Sequence, residues 1–339
     1  MISHCKPVAY DSEVSGKIVA AVSMTHTPGL GDRLDAPPAD QMERLHRAFG
    51  QVRQELDAAA PDIVVAFVND HFDMYWLNNM PTFSVSVSDV HYGPSPDAQD
   101  WLQMTRRPHP GDASYGKRIL EQCIADGFDM MRSGPAEFNH NVLIPKKFLW
   151  PDRDIPVVPV FINCFAPPLP TWRRSYELGR CIRKVIAERP ERVALLASGG
   201  ISHWPPFVDE DRIPADDELL QRQLRTQREG PVARAADPHL RRDFHAREAR
   251  MSAGDQQLIN VEWDREVMAA LERGDIEHLL RQDYHAVERA GGNGGHEMAM
   301  WIALAGVLDG APGRTVVYEP VKEWMGGVGI LTYGGRQPY

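Results

Sequence analysis

Four short apolar runs punctuate the chain. Lys17–Met24 (KIVAAVSM), Ile63–Val68 (IVVAFV), Val157–Ile162 (VVPVFI) and residues 193–198 (VALLAS) are rich in β-branched residues and lack polar alternation. That is the pattern of strands covered on both faces. Met42, Leu45, Phe49, Val52 and Leu56 recur at three- and four-residue spacing, as do Tyr176, Leu178, Cys181, Ile182, Val185 and Ile186. Each set lays one apolar stripe along a helix. Residues 261–271 and 297–308 read as two further helices, and 315–318 and 328–333 as closing strands. Strand alternating with helix predicts an α/β fold with a largely parallel central sheet flanked by helices on both faces. Residues 209–256 break this pattern, being polar, charge-rich and weakly periodic. They read as a partly helical excursion over the sheet, an interface or a lid, within a single α/β domain spanning 1–339.

Ligands of open α/β sheets bind beyond the carboxyl ends of the strands, so the residues that follow each run matter most. Thr25, His26 and Pro28 follow the first, and Asn69, Asp70 and His71 the second. Asn163 follows the third. Gly199, Gly200, Ser202, His203 and Pro205 follow the fourth. Three strands thus end in a histidine on one rim, which places one site at the C-terminal ends of the strands.

Two imidazoles and one carboxylate with open positions form the facial triad of non-haem Fe(II) oxygenases. His26 and His71 can supply two corners, their other reading being hydrogen-bonded loop histidines; their shared rim favours the pair as ligands. Glu297 follows a glycine-rich stretch, residues 291–295, and opens an apolar helix. Spacing alone leaves it either the third ligand or an ordinary acid in a first helical turn, where the helix dipole favours it. His203, between glycines and prolines, suits proton transfer near neutral pH; a structural histidine and a fourth ligand are its other readings. His140, in Phe-Asn-His-Asn, leads into a helix and carries little signal by itself. His239, His245, His278 and His285 lie in charged stretches and read as solvated surface, and His4 and His109 as mobile. Neither a P-loop, a first-strand GxGxxG nor a GxSxG elbow occurs.

Composition narrows the class of partner. The 339 residues are 43% apolar and 25% charged with net charge −10, ordinary for a globular protein but wrong for a nucleic-acid or anionic-membrane partner, which need a basic footprint. Four scattered cysteines without a CxxC pair argue against a disulfide framework or thiolate zinc site. With no long apolar leader or 18-residue apolar run, the expected location is the cytoplasm.

The motifs together resemble those of the class III extradiol ring-cleavage dioxygenases. The markers are Ser23-Met24-Thr25-His26-Thr27-Pro28, Asn69-Asp70-His71-Phe72, the run from Pro156 to Asn163, Ser198-Gly199-Gly200-Ile201-Ser202-His203-Trp204-Pro205-Pro206, Trp263-Asp264, and His296-Glu297 before Trp301. The likeness runs from about 20 to 330 and is strongest to the 2,3-dihydroxyphenylpropionate 1,2-dioxygenase branch. It implies Fe(II) on His26, His71 and Glu297, with His203 and His140 as an acid–base pair. It also implies a substituted catechol and O2 as substrates, a diol that chelates the metal and loses a proton to His203, and assembly into a homo-oligomer. The substrate expected is 2,3-dihydroxyphenylpropionate-like or a lignin-derived biaryl catechol. In one respect the chain departs from the branch: Asn139 stands where an Asp precedes the second acid–base histidine. An amide cannot raise that histidine's basicity as a carboxylate would.

Two other functions stay open from the residues alone: a zinc hydrolase on the same ligands, and a non-catalytic binding relative, whose mark would be lost ligands. Residues 32–40 and 91–111 are candidates for shaping the substrate pocket, with Arg106 and Arg107 as either carboxylate partners or exposed loop charges.

Overall fold

In the computed structural model, residues 17–205 and 212–334 are described. His4, Cys5, Pro206 and the first residues of the 209–256 excursion lie outside them. Among the described residues ten strands form: β1 (Lys17–Met24), β2 (Ile63–Val68), β3 (Phe83–Ser86), β4 (Val90–Gly93), β5 (Arg107–Pro110), β6 (Met131–Ser133), β7 (Val157–Ile162), β8 (Arg192–Ser198), β9 (Arg314–Val321) and β10 (Gly326–Tyr333). Eight of them build one sheet in the order β6-β3-β7-β2-β8-β1-β10-β9, while β4 and β5 pair separately.

The four apolar runs are the adjacent central strands β7, β2, β8 and β1, and their pairings are all parallel. Away from this centre the sheet is mixed. β3 runs antiparallel to β7, and β10 antiparallel to both β1 and β9. The α/β class therefore holds, but the parallel character is confined to the centre and the β3–β6 pair. The reason is connectivity: β9 and β10 are joined by a short turn, which can only return the chain antiparallel.

Helices cover both faces. One face packs Ala39–Ala59 and His140–Leu149 through Leu45, Phe49, Val52 and Leu143 onto Val64, Ala66 and Leu196 of the sheet. The other carries Trp172–Glu188 and Met298–Val307 over Val65, Phe67 and Leu195. All ten residues of Met298–Val307 are buried, which explains a helix apolar on every side. Backbones approach closely here: a β-carbon on Gly179 or Gly306 would overlap a carbonyl of the facing helix.

Short β3 (FSVS) and β6 (MRS) gave too little pattern to read. The hairpin β4–β5 pairs His91 with His109. Both imidazoles are buried and bonded to backbone, His91 to the Val157 carbonyl at 3.0 Å and His109 to that of Gly93 at 3.2 Å. Burial pushes each down to about 4. His109 is thus a fixed structural histidine, contrary to the expectation of mobility.

The excursion folds into helices Glu218–Glu229, Pro231–Ala236 and Leu240–Ala253 around a small core of Leu220, Leu240 and Phe244. It covers the carboxyl ends of the central strands. Arg234 fastens it there, donating to the Phe72 carbonyl at 2.6 Å and to Asp73 at 3.0 Å. Arg241 adds an ion pair with Asp97 at 2.9 Å.

Candidate metal centre

His26 lies just beyond β1, His71 just beyond β2, and His203 on the turn that leaves β8. His140 is the first residue of its helix, and Glu297 ends a 3-10 turn running into Met298–Val307. These five side chains converge. The rings of His26, His71 and His140 lie with centroids 4.0–5.1 Å apart. Glu297 approaches His26 Nε2 at 3.2 Å, His71 Nε2 at 3.5 Å and His203 Nε2 at 3.6 Å.

Local structure aims each group. His26 Nδ1 lies 2.9 Å from Ser198 Oγ, so a proton on Nδ1 leaves the Nε2 lone pair facing Glu297. His203 Nδ1 lies 3.0 Å from the Ile201 carbonyl, which can only accept; Nδ1 carries the proton and Nε2 is again the open nitrogen. The glycines of both sequence motifs serve this ring. A β-carbon on Gly200 or on Gly294 would overlap the His203 imidazole. Gly200 N–H also donates to Glu297 Oε2. His71 Nε2 lies 3.0 Å from the Asn69 amide. Its neighbour Phe72 has φ 59°, a strained setting for a bulky residue, and this turn is held by Asp70, which accepts from the N–H groups of Asp73, Met74 and Tyr75.

The electrostatics follow from burial and proximity. Glu297 is 1% exposed. Burial opposes its charge, but the facing His26, His203 and His71 outweigh that and hold the carboxyl well below its usual range. Burial lowers His26 and, helped by the His71 and His26 charges, lowers His140 well below the usual imidazole value. At His203 burial also lowers, yet the hydrogen bond and charge of Glu297 more than offset it, and the net direction is up.

These groups suit a divalent metal. His26 Nε2, His71 Nδ1 and His140 Nδ1 are buried with no hydrogen-bond partner, an expensive condition unless something else binds them. One nitrogen from each of these three histidines can be chosen within 4.8 Å of the others, and the Glu297 oxygens lie alongside. Histidine nitrogens with one carboxylate are the donors of Fe(II) and of zinc centres alike.

The centre floors a cavity of about 220 Å³ roofed by the excursion. Trp101, Phe165, Trp324 and Phe244 give it apolar walls, and Arg33, Arg241, His245 and Glu248 add polar ones. His245 was expected on solvated surface; it instead faces this cavity beside Trp101. Arg106 and Arg107 lie outside the cavity wall, engaged by Glu137 and Asp154. Residues 32–40 and 91–111 do reach it, through Arg33, Asp97 and Trp101. The wall was legible in principle: Arg241, His245 and Glu248 recur at four- and three-residue spacing, which puts them on one helical face.

Residues 20–329 match the family model described as the catalytic LigB subunit of aromatic ring-opening dioxygenase. The chain belongs to this family. Its relatives include the 2,3-dihydroxyphenylpropionate/2,3-dihydroxicinnamic acid 1,2-dioxygenase of Burkholderia vietnamiensis, 32% identical over 317 residues, covering 91% of this chain and 95% of that protein. The enzyme of the same name from Photorhabdus laumondii is 28% identical over 325 residues, covering 93% and 96%. The resemblance read from the motifs is borne out, and with it a ring-opening dioxygenase as the class of activity. LigB membership also fits the metal-suited histidines at the strand ends. Among the described residues no helix is long and apolar enough to cross a membrane.

Proposed function

We propose that this chain is an Fe(II)-dependent extradiol dioxygenase that opens a 3-substituted catechol of the 2,3-dihydroxyphenylpropionate kind. The ligands proposed are His26, His71 and Glu297, with His203 and His140 as the proton-transfer pair. The observation that carries this reading is a buried carboxylate, Glu297, in contact with three imidazoles at the floor of an apolar cavity. An anion so deeply buried needs compensating positive charge, and a divalent cation held by the same imidazoles would supply it.

Fe(II) bound there would supply vacant positions for the diol and for O2 and a path for electrons between them. The protein's own residues do the rest. His203 accepts a proton from a catechol hydroxyl at Nε2, the nitrogen left open by its bond to Ile201. His140, neutral at rest because burial lowers it, stands against Trp101 as the second proton-transfer group, becoming an imidazolium when it takes a proton and neutral again when it gives one up. Asn139 does not act on that ring: its Oδ1 accepts from Ser95 N–H at 2.9 Å and from Ser95 Oγ at 3.1 Å. Trp101 and Phe165 keep water from the reacting ring.

His140 also groups with His26 and His71 by distance, which makes it a competing third ligand. Metal content of two variants separates the readings. With His26, His71 and Glu297 as ligands, Glu297→Gln loses most of its metal, while His140→Asn keeps it and turns over about 10²–10⁴-fold more slowly. The opposite pattern would make His140 the ligand.

A further inference from the structure

We propose that Arg33 is the specificity residue of the cavity, binding an anionic substituent, a carboxylate, carried by the catechol. This rests on the ring-opening reading above and adds the residue that selects among its substrates.

Among the described residues the cavity wall offers three arginines, and two are already committed. Arg234 donates to Asp73 and to the Phe72 carbonyl. Arg241 is paired with Asp97 and lies over the Trp101 ring, 5.5 Å from its centroid. Arg33 is different. It is half-buried in the wall, and among the described residues its guanidinium donates only to the Glu323 carbonyl, at 3.4 Å. Among the described residues it has no carboxylate partner. A guanidinium with no ion-pair partner among the described residues, in a largely apolar, part-enclosed pocket, retains the donors that recognise a carboxylate in a planar, two-point fashion.

The stem that carries Arg33 is rigid. It follows the short helix Gly29–Asp32, which is wedged between two indoles. A β-carbon on Gly29 would overlap Trp324, and one on Gly31 would press on Trp101. The Arg33 carbonyl accepts from Trp324 Nε1 at 2.9 Å. Holding a binding group on a fixed backbone reduces the ordering cost when a ligand arrives.

Glu248 gives the same wall an opposing element. It belongs to the lid helix Leu240–Ala253, lines the cavity, and is close enough to Arg33, Arg241 and His203 to feel their charges, while burial raises its carboxyl. An ionised Glu248 repels an anionic substituent, so removing its charge strengthens what Arg33 does. That sign is one a merely structural role would not produce.

The test measures binding by titration calorimetry without O2, on protein as purified, using 3-(2,3-dihydroxyphenyl)propionate and the neutral 3-propylcatechol. The readout is the ratio of the two affinities. For Arg33→Gln the preference for the acid falls about 10–100-fold, the range of a charge-assisted hydrogen-bond pair; Arg33→Lys recovers part of it, and Glu248→Gln increases it. A ratio unchanged in Arg33→Gln, or lowered in Glu248→Gln, overturns the assignment, as does failure of the unsubstituted protein to bind the acid. Turnover is read separately. Charge-selective binding with no ring opening would overturn the ring-opening reading and sustain Arg33. Ring opening without charge selectivity would do the reverse.

Discussion

A single methyl group placed at Gly294 tests the role of His203 without touching the imidazole. A β-carbon there overlaps three atoms of the ring, Cε1, Nε2 and Nδ1. The ring has little freedom to yield in place. Its backbone is tied on both sides, His203 N–H donating to the Gly291 carbonyl at 2.9 Å and Gly294 N–H to the His203 carbonyl at 3.2 Å. In Gly294→Ala the imidazole must therefore swing into the cavity, and the 3.0 Å bond from Nδ1 to Ile201 is lost. Overpacking of this kind costs about 1–3 kcal/mol, and the bond about 0.5–1.5 kcal/mol more. The melting temperature should drop by several degrees in a chain of this size. If His203 is the base proposed, turnover should fall about 10²–10⁴-fold, while metal content, under the proposed ligand set of His26, His71 and Glu297, should not change. The control is Gly295→Ala, whose β-carbon would come no closer than 3.3 Å to Trp263. O2 uptake, bound metal and melting temperature are measured for both. Wild-type turnover in Gly294→Ala, or a loss matched by equal loss of metal, would refute the reasoning.

Other parts of the structure make their own predictions. Arg234→Met strips the lid of its bonds to Phe72 and Asp73 and leaves Asp73, whose side chain is 5% exposed, without its cation. It should lose about 1–3 kcal/mol of stability and raise KM more than it lowers kcat, as read by urea titration and steady-state kinetics; unchanged KM would sink the lid's role in holding substrate. Asp264 is fully buried beneath the His203 turn, accepting from Ser202 N–H at 2.8 Å and Tyr318 Oη at 2.5 Å, and burial pushes it up to about 6. A carboxyl that binds its proton more tightly folded than unfolded loses stability as pH rises between about 4 and 6. Asp264→Asn has no such titration. Its stability relative to wild type should therefore improve by roughly 2–4 kcal/mol from pH 4 to pH 7, and a gap constant with pH would contradict the buried acid.

How much of this was readable from residue order depends on the scale of the signal. β1, β2 and β7 were visible to the residue because strands buried on both faces need unbroken apolar runs. The placement of His26, His71 and His203 on one rim followed from β1, β2 and β8. Glu297 did not, because an acid opening a helix is also what the helix dipole favours; its role needs the three imidazoles that only the fold brings to it. His140 was similarly opaque, since its ring partners, His26 and His71, come from two separate strand ends, and the third is Trp101. β3 and β6 were missed for their brevity, and β9 and β10 fixed the antiparallel edge through a turn whose direction an apolar count does not register. The cavity wall was missed for another reason. Arg241, His245 and Glu248 lie on one helical face, but a polar face normally means solvent, and here the lid turns it inward over the site.

The account stands or falls on whether the iron-loaded protein opens a catechol ring. Protein reconstituted with Fe(II) without air is given 3-(2,3-dihydroxyphenyl)propionate and 18O2, and the product is followed by absorbance and mass spectrometry. The account predicts a yellow product cleaved outside the two hydroxyls that carries both atoms of one O2, and no product from the zinc-loaded or Glu297→Gln protein. Absence of ring opening with this and a panel of other catechols, or equal activity with zinc, would contradict it.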